Sequence, residues 1–260
     1  MGVLTKKNLL GEMDRISFLG FPMDRLTLDD TVQKAEEFIQ SGKAHQIVVM
    51  NAAKVILARQ DKALADIISS ADIVGPDGMP LIWASRLFGQ PLPGRVNGTD
   101  LMERLVEVAA RRGYSVYFLG AQEEVVRKTV EIHKLRYPEL RVAGWRNGYF
   151  SSEEESQIIQ EIRDSKAQIL LVGISTPFKE KWIAQHLNRL RVPVCHGVGG
   201  SFDVVAGFVE RAPVWMQNWG LEWVYRLYQE PRRMWKRYLI TNSKFICLVL
   251  LEAFKTRFRL

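Results

Sequence analysis

The sequence predicts an α/β fold: a Rossmann-like, mainly parallel sheet with helices on both faces, followed by a helical, basic C-terminal appendage. Three observations carry this. Short apolar runs alternate with helix-like segments as far as Gly207. The runs are continuously apolar, as expected for strands covered on both faces. After Gly207 the alternation stops and the chain becomes rich in Trp, Arg and Tyr. The expected organisation is a catalytic body over residues 1–207 and an appendage over 208–260.

Taken in order, a short strand at Ile16–Phe21 precedes a helix at Thr27–Ser41. Strands follow at Ile47–Met50, Asp72–Gly75, Ser115–Gly120, Arg141–Trp145, Gln168–Gly173 and Val192–Gly199. The segments between them, Ala52–Ser70, Asp100–Arg112, Gln122–Tyr137, Glu153–Ser165 and Lys179–Arg191, read as helices. In Gln122–Tyr137, Val125, Val126, Thr129, Val130 and His133 recur at helical spacing, and Pro138 closes the segment. In the appendage Pro231 breaks or starts a helix. From Tyr238 onward a helical wheel gathers Thr241, Lys244, Glu252, Lys255 and Arg259 on one side. Leu239, Ile246, Leu250, Ala253 and Phe254 gather on the other, with Phe245 and Leu248 intruding on the polar side. Such a helix either lies in a headgroup layer or packs on the body.

The chain has 260 residues, enough to bury a full core without staples, and an ordinary globular composition. Its two cysteines, Cys195 and Cys247, lie in apolar stretches and suggest no disulfide framework. Gly11, Glu12 and Asp14 interrupt any signal-peptide core, and the longest apolar run, Phe245 to Leu251, is about a third of the roughly 20 residues needed to span a bilayer. A cytosolic protein or one attached to a membrane surface is expected. The net charge is +7, and the whole excess lies from Arg211 to Leu260. That asymmetry addresses the tail to a nucleic acid, an anionic membrane or a phosphorylated ligand.

Three strand ends carry candidate chemistry. Asp77, in Gly75-Pro-Asp-Gly78, places a carboxylate in a turn at the ligand-binding end of a parallel strand, where it could serve as a general base. Read alone, Pro-Asp-Gly is also simple turn chemistry. Gly197-Val-Gly-Gly-Ser-Phe-Asp203 could bring backbone N–H groups close to a diphosphate. Asn51 is a third polar group at a strand end, or a helix cap. There is no Asp-x-Asp, no Cys/His cluster and no phosphate-binding Gly-x-x-x-x-Gly-Lys loop, so a protein-held metal is not expected.

Together these pieces resemble the WecG/TagA/CpsF glycosyltransferases, also called glycosyltransferase family 26 or the bacterial N-acetylmannosaminyltransferase family. The motifs are Val49-Met-Asn51, Ala71–Met79 around Asp77, Arg95-Val-Asn-Gly-Thr-Asp100, Thr176–Trp182, Gly197–Gly207, Arg211-Ala-Pro213 and Gly220–Leu227 with Glu230-Pro231. They run in the family's order over about residues 16–240. The resemblance implies inverting, metal-independent transfer of a sugar from a UDP-sugar to a polyprenyl-diphosphate-linked glycan, with no cofactor. It implies Asp77 as catalytic base, and Asn51, Gly78, Arg95, Lys179, Gly199, Gly200, Ser201 and Asp203 around the substrates. It also implies a tail that docks on the membrane and supplies arginines, here Arg226, Arg233 and Arg237 (with Lys236 beside it).

Two positions depart from the family pattern: Val49, where threonine is common, and Lys179, where a neutral amide is common. They leave the donor open between a UDP-N-acetylmannosamine and a UDP-glucose type. The expected location is the cytoplasmic face of the membrane, and self-association is the other way to cover an apolar tail. Two rival readings lack their signatures. A dinucleotide oxidoreductase would carry Gly-x-Gly-x-x-Gly, and a nucleic-acid binder would carry a recognition motif beside its charge.

Overall fold

A computed structural model describes residues 14–258, and only the backbone of residues 233, 234, 237 and 256–258. The expected α/β architecture is present. The reading of the extreme N-terminus lies outside the described residues, as do the side chains of Arg233 and Arg237.

The chain opens with a hairpin, β1 (Arg15–Phe18) and β2 (Phe21–Asp24), where the sequence predicts a single strand. Leu19 and Gly20 both take positive φ, 53° and 89°, forming the two-residue turn that matches strand twist. Helix α1 (Leu28–Ser41) starts on a reciprocal cap between Thr27 and Asp30. After β3 (His45–Met50), the predicted helix 52–70 is two helices, α2 (Ala52–Ala58) and α3 (Lys62–Ser70). The Asp61 carboxylate accepts from Leu64 N and starts the second. Next come β4 (Ile73–Pro76), α4 (Met79–Leu87), α5 (Gly98–Arg112), β5 (Ser115–Gly120) and α6 (Glu123–Arg136). The body continues through β6 (Arg141–Arg146), α7 (Glu155–Asp164), β7 (Ile169–Gly173), α8 (Phe178–Leu190), β8 (Val194–Gly197) and α9 (Ser201–Val205). The short helices α4 and α9 have no counterpart in the sequence reading. The appendage forms α10 (Val214–Asn218), α11 (Glu222–Gln229) and α12 (Pro231–Phe258), with Pro231 at the first turn, where its missing N–H costs nothing.

The main sheet has the order β4-β3-β8-β7-β5-β6, and every pairing in it is parallel. Successive strand residues point to opposite faces, each into its own core. Ile47, Val49, Phe118 and Leu171 pack with α1, α5, α6 and α9, while Val48 and Met50 pack with α2, α3 and α4. Leu119 and Leu170 pack with α7 and α8. The five α6 residues singled out by spacing are its five buried ones.

No helix among the described residues is long and apolar enough to cross a membrane. Helix α12 lies against α2, and its docking face differs from the one the wheel suggests. Phe245 and Leu248, the two intruders, are 5% and 8% exposed in the core that holds Val55 and Ile56. Leu239, Ile246, Leu250 and Phe254 are 57–62% exposed. The helix uses a narrow seam to join the body and leaves its broad apolar face outward.

Phe245→Ala should therefore destabilise the protein by roughly 3–5 kcal/mol, while Leu250→Ala should change stability by less than about 0.5 kcal/mol. Urea unfolding followed by circular dichroism checks both, and equal effects would contradict the docked seam.

Candidate active site

Parallel strands bring their C-terminal ends to one edge, and here three motif-bearing ends are neighbours: β4, β3 and β8. Met50 pairs with Pro76, so the next residues, Asn51 and Asp77, leave the sheet side by side. Asp77 N donates to Met50 O at 2.6 Å, and Val96 N donates to Pro76 O at 2.6 Å. The second contact lays the Arg95–Asn97 segment along the same edge. Gly78 then turns the chain into α4 with φ 109° and ψ 150°, a conformation that favours glycine.

Asp77 is half-buried, and its Oδ1 accepts from Asn97 Nδ2 at 3.0 Å. Burial raises its carboxyl to about 6; the Glu222 charge adds to the rise, and Lys54, Arg95 and the Asn97 hydrogen bond hold it back. A carboxylate near 6 is a far better proton acceptor than one near 4 and is still ionised at neutral pH. His196 is fully enclosed in β8, and burial drops it to about 4.

Hydrogen bonds run from Asp77 to the glycine-rich loop. Asn97 Oδ1 accepts from Thr99 N at 2.9 Å, and the Thr99 and Ser201 hydroxyls are 2.8 Å apart. Ser201 is buried, and its hydroxyl donates to Val198 O at 2.7 Å, so this side chain braces the loop from beneath. Gly199 and Gly200 form the loop's tip. A Cβ on Gly200 would lie 3.7 Å from Asp203 Oδ2 and 3.9 Å from Arg226 Nη2, so Arg226 of α11 reaches the tip. Asn51 is the cap of α2, accepting from Lys54 N at 2.9 Å, as its alternative reading held.

Beneath this edge lies a buried ionic cluster. Glu180 Oε1 takes both ammonium groups, Lys54 Nζ and Lys179 Nζ, each at 2.7 Å. Lys54 Nζ also donates to Val49 O at 2.6 Å, and Lys179 Nζ donates to Thr176 Oγ1. Burial opposes ionisation of Glu180, but the two lysines together bring it down to about 2. Burial, then the Lys54 charge, lowers Lys179 to about 8. Two cations on one carboxylate leave an excess positive charge under the strand ends, favourable for an anion above. Lys179 therefore serves the cluster, and its stem fills the space over Gly197, where a Cβ would meet Cδ at 2.7 Å. Val49 is 5% exposed and packs on Gly98.

The appendage closes over the same edge. Arg95 Nη1 donates to Glu222 Oε1 at 2.7 Å, and Nη2 donates to Gln217 Oε1 at 2.9 Å. Arg211 pairs with Asp100 at 2.6 Å. Sequence reasoning placed Arg95 and Arg226 here but gave no role to Lys54, Asn97, Gln217 or Glu222. Asn97 and Glu222 sit inside the quoted motifs; Lys54 stands one helical turn after Asn51, the only signal it offers. Among the described residues no group of three or more His, Cys, Asp or Glu is placed to hold a metal.

The raised Asp77 carboxyl makes a stability prediction. A group whose folded value lies above its unfolded one is no burden below the unfolded value, here 3.8. The stability is lost as pH rises to about 6 and is flat above that. Asp77→Asn should match wild type near pH 4 and melt higher above pH 6, by up to about 3 kcal/mol. Thermal unfolding across this range checks the sign.

Comparison with known proteins gives the edge its context. A model of the Glycosyl transferase WecG/TagA/CpsF family matches residues 16–259. Among curated relatives, a Bacillus spizizenii protein named N-acetylglucosaminyldiphosphoundecaprenol N-acetyl-beta-D-mannosaminyltransferase is 33% identical over 213 residues, 82% of this chain and 81% of its own length. Proteins of the same name from Bacillus subtilis and Staphylococcus aureus are 32% and 30% identical, covering 79% and 86% of each chain. The match spans the sheet, the Asp77 turn, the glycine-rich loop and the appendage alike: the chain belongs to the WecG/TagA/CpsF family of glycosyltransferases.

Proposed function

We propose that the chain is a hexosyltransferase that moves a sugar, with inversion and without a metal, from a UDP-sugar to a hydroxyl of a polyprenyl-diphosphate-linked glycan. The observation that carries this reading is Asp77, a carboxylate raised to about 6 at the strand edge where Arg226 and the Gly199–Gly200 tip meet. The acceptor hydroxyl gives its proton to Asp77 as its oxygen bonds to the anomeric carbon. The bond from that carbon to the UDP oxygen breaks on the opposite face, and UDP leaves with the electron pair. General-base assistance is worth roughly 10²–10⁴-fold. The charge gathering on the diphosphate is met by Arg226, by the excess cation of the Lys54–Glu180–Lys179 cluster and by loop N–H groups. Arg233 and Arg237 join Arg226 on this reading, as the family resemblance assigns them.

The named relatives support an N-acetylmannosaminyl donor and an N-acetylglucosaminyl-diphosphoundecaprenol acceptor. Val49 and Lys179 are both buried, Lys179 in the ion pair with Glu180, so the two departures from the family pattern do not by themselves argue for a UDP-glucose donor. The outward face of α12, with Trp215, Trp219 and Trp235 also exposed, supports docking on an anionic membrane from the cytoplasmic side. Each nearby Lys or Arg adds about 1 kcal/mol before screening. A second copy of the chain would cover that face away from the membrane.

Three experiments test the reading. UDP-N-acetylmannosamine should raise the melting temperature more than UDP-glucose, and Asp77→Asn should fold yet lose transfer by about 10²-fold or more. Wild-type turnover by Asp77→Asn would remove it as the base. Ile246→Glu with Leu250→Glu, both on the exposed face, should release the protein from anionic vesicles without lowering its stability; full co-sedimentation would contradict docking through α12.

A further inference from the structure

We propose that Glu222 and Gln217, both from the appendage, hold the Arg95 guanidinium away from Asp77 and so keep Asp77 a base; they are positioning residues for proton transfer. This rests on the reading of Asp77 as the base.

The geometry begins with a conflict. Arg95 and Asp77 share one edge because Val96 N is bonded to Pro76 O, immediately before Asp77. An arginine left free beside a carboxylate pairs with it and lowers its pKa by about 1–3 units. Such a pair would occupy the oxygens that must receive the acceptor's proton. Yet the side-chain hydrogen bond described for Asp77 comes from neutral Asn97, and the guanidinium is directed elsewhere.

What directs it is the appendage. Glu222 Oε1 accepts from Nη1 at 2.7 Å and Gln217 Oε1 from Nη2 at 2.9 Å, with Gln217 O a longer third contact at 3.5 Å. Gln217 is 6% exposed, and its Nε2 donates to Ala212 O at 2.7 Å. That bond fixes which way the amide faces, leaving only its oxygen for Arg95. The two residues divide the task. The amide sets direction without adding charge, and the carboxylate supplies the negative charge that competes with Asp77 for the guanidinium.

The surroundings of Asp77 make the competition matter. Lys54 faces it from α2, Lys179 from α8, Arg95 and Asn97 from the segment before α5, and Glu222 from α11. Glu180 is already shared by the two lysines. Glu222 is thus the remaining acid able to offset Arg95. The consequence is functional: the base has its full strength only while α10 and α11 are seated on the body.

The test reads Asp77 directly. In full-length protein carrying ¹³C-labelled aspartate, the Asp77 carboxyl signal is the one missing from Asp77→Asn. Its midpoint should lie near 6 in wild type and fall by more than about one pH unit in Glu222→Gln. The acid limb of kcat/KM should move down with it, with a several-fold lower plateau. In an Arg95→Met background, Glu222→Gln still removes the charge that raises Asp77 through space, so the midpoint should again fall, but by less than in wild type, because no guanidinium remains to be released. Equal shifts in the two backgrounds, or no shift in either, would overturn the proposal. Should Glu222→Gln fail to fold, Glu222→Asp keeps the charge but loses the reach, and the midpoint should again fall; an unmoved midpoint there would overturn the proposal too. Transfer retained by Asp77→Asn would instead sink the underlying assignment of the base, a separate outcome.

Discussion

The pairing of β3 with β4 on one side and β8 on the other is the constraint from which the site follows. Parallel strands put like ends together, and Met50 opposite Pro76 fixes Asn51 beside Asp77 to within one residue. A slip by a single residue would turn every side chain of β3 to the wrong core, Val48 and Met50 exchanging faces with Ile47 and Val49. The two hydrophobic cores therefore hold the register, and the register holds the chemistry.

Charge is balanced around that edge in two layers. The lower layer is buried: Lys54 and Lys179 on Glu180, overfull by one cation. Removing Glu180 would leave two ammonium groups enclosed together, a costly arrangement, whereas the present cluster keeps its excess charge under the site. The upper layer belongs to the appendage, where Arg226 reaches the glycine-rich tip and Glu222 engages Arg95. An edge that binds a diphosphate must be positive, and a carboxylate that accepts a proton must not be overwhelmed by that charge. On the proposed function, an acid and an arginine supplied from the same short helix, α11, would meet both requirements.

The fold was legible in the sequence because its strands are continuous and its helices periodic; the buried face of α6 was readable residue by residue. Local chemistry hid the rest. The break at Asp61 and the turn at Leu19–Gly20 depend on single residues inside otherwise uniform runs. The docking seam of α12 is not legible on a wheel, which ranks faces by apolar content, while packing against α2 takes up Phe245 and Leu248 from the more polar side. At the site, Asp77 and the glycine-rich loop stood out as strand-end motifs. Lys54, Gln217 and Glu222 did not, since each matters only through a partner distant in sequence.

On the proposed reading the strand ends at Asn51 and Asp77, the Gly199–Ser201 loop and Arg226 form one anion-binding edge. A crystal structure of the full chain with UDP tests it most directly. The diphosphate should lie between those strand ends and the glycine-rich loop, with an Arg226 nitrogen within about 4 Å of a phosphate oxygen. A nucleotide bound at another edge of the sheet, or seated there with Arg226 turned away, would contradict the account.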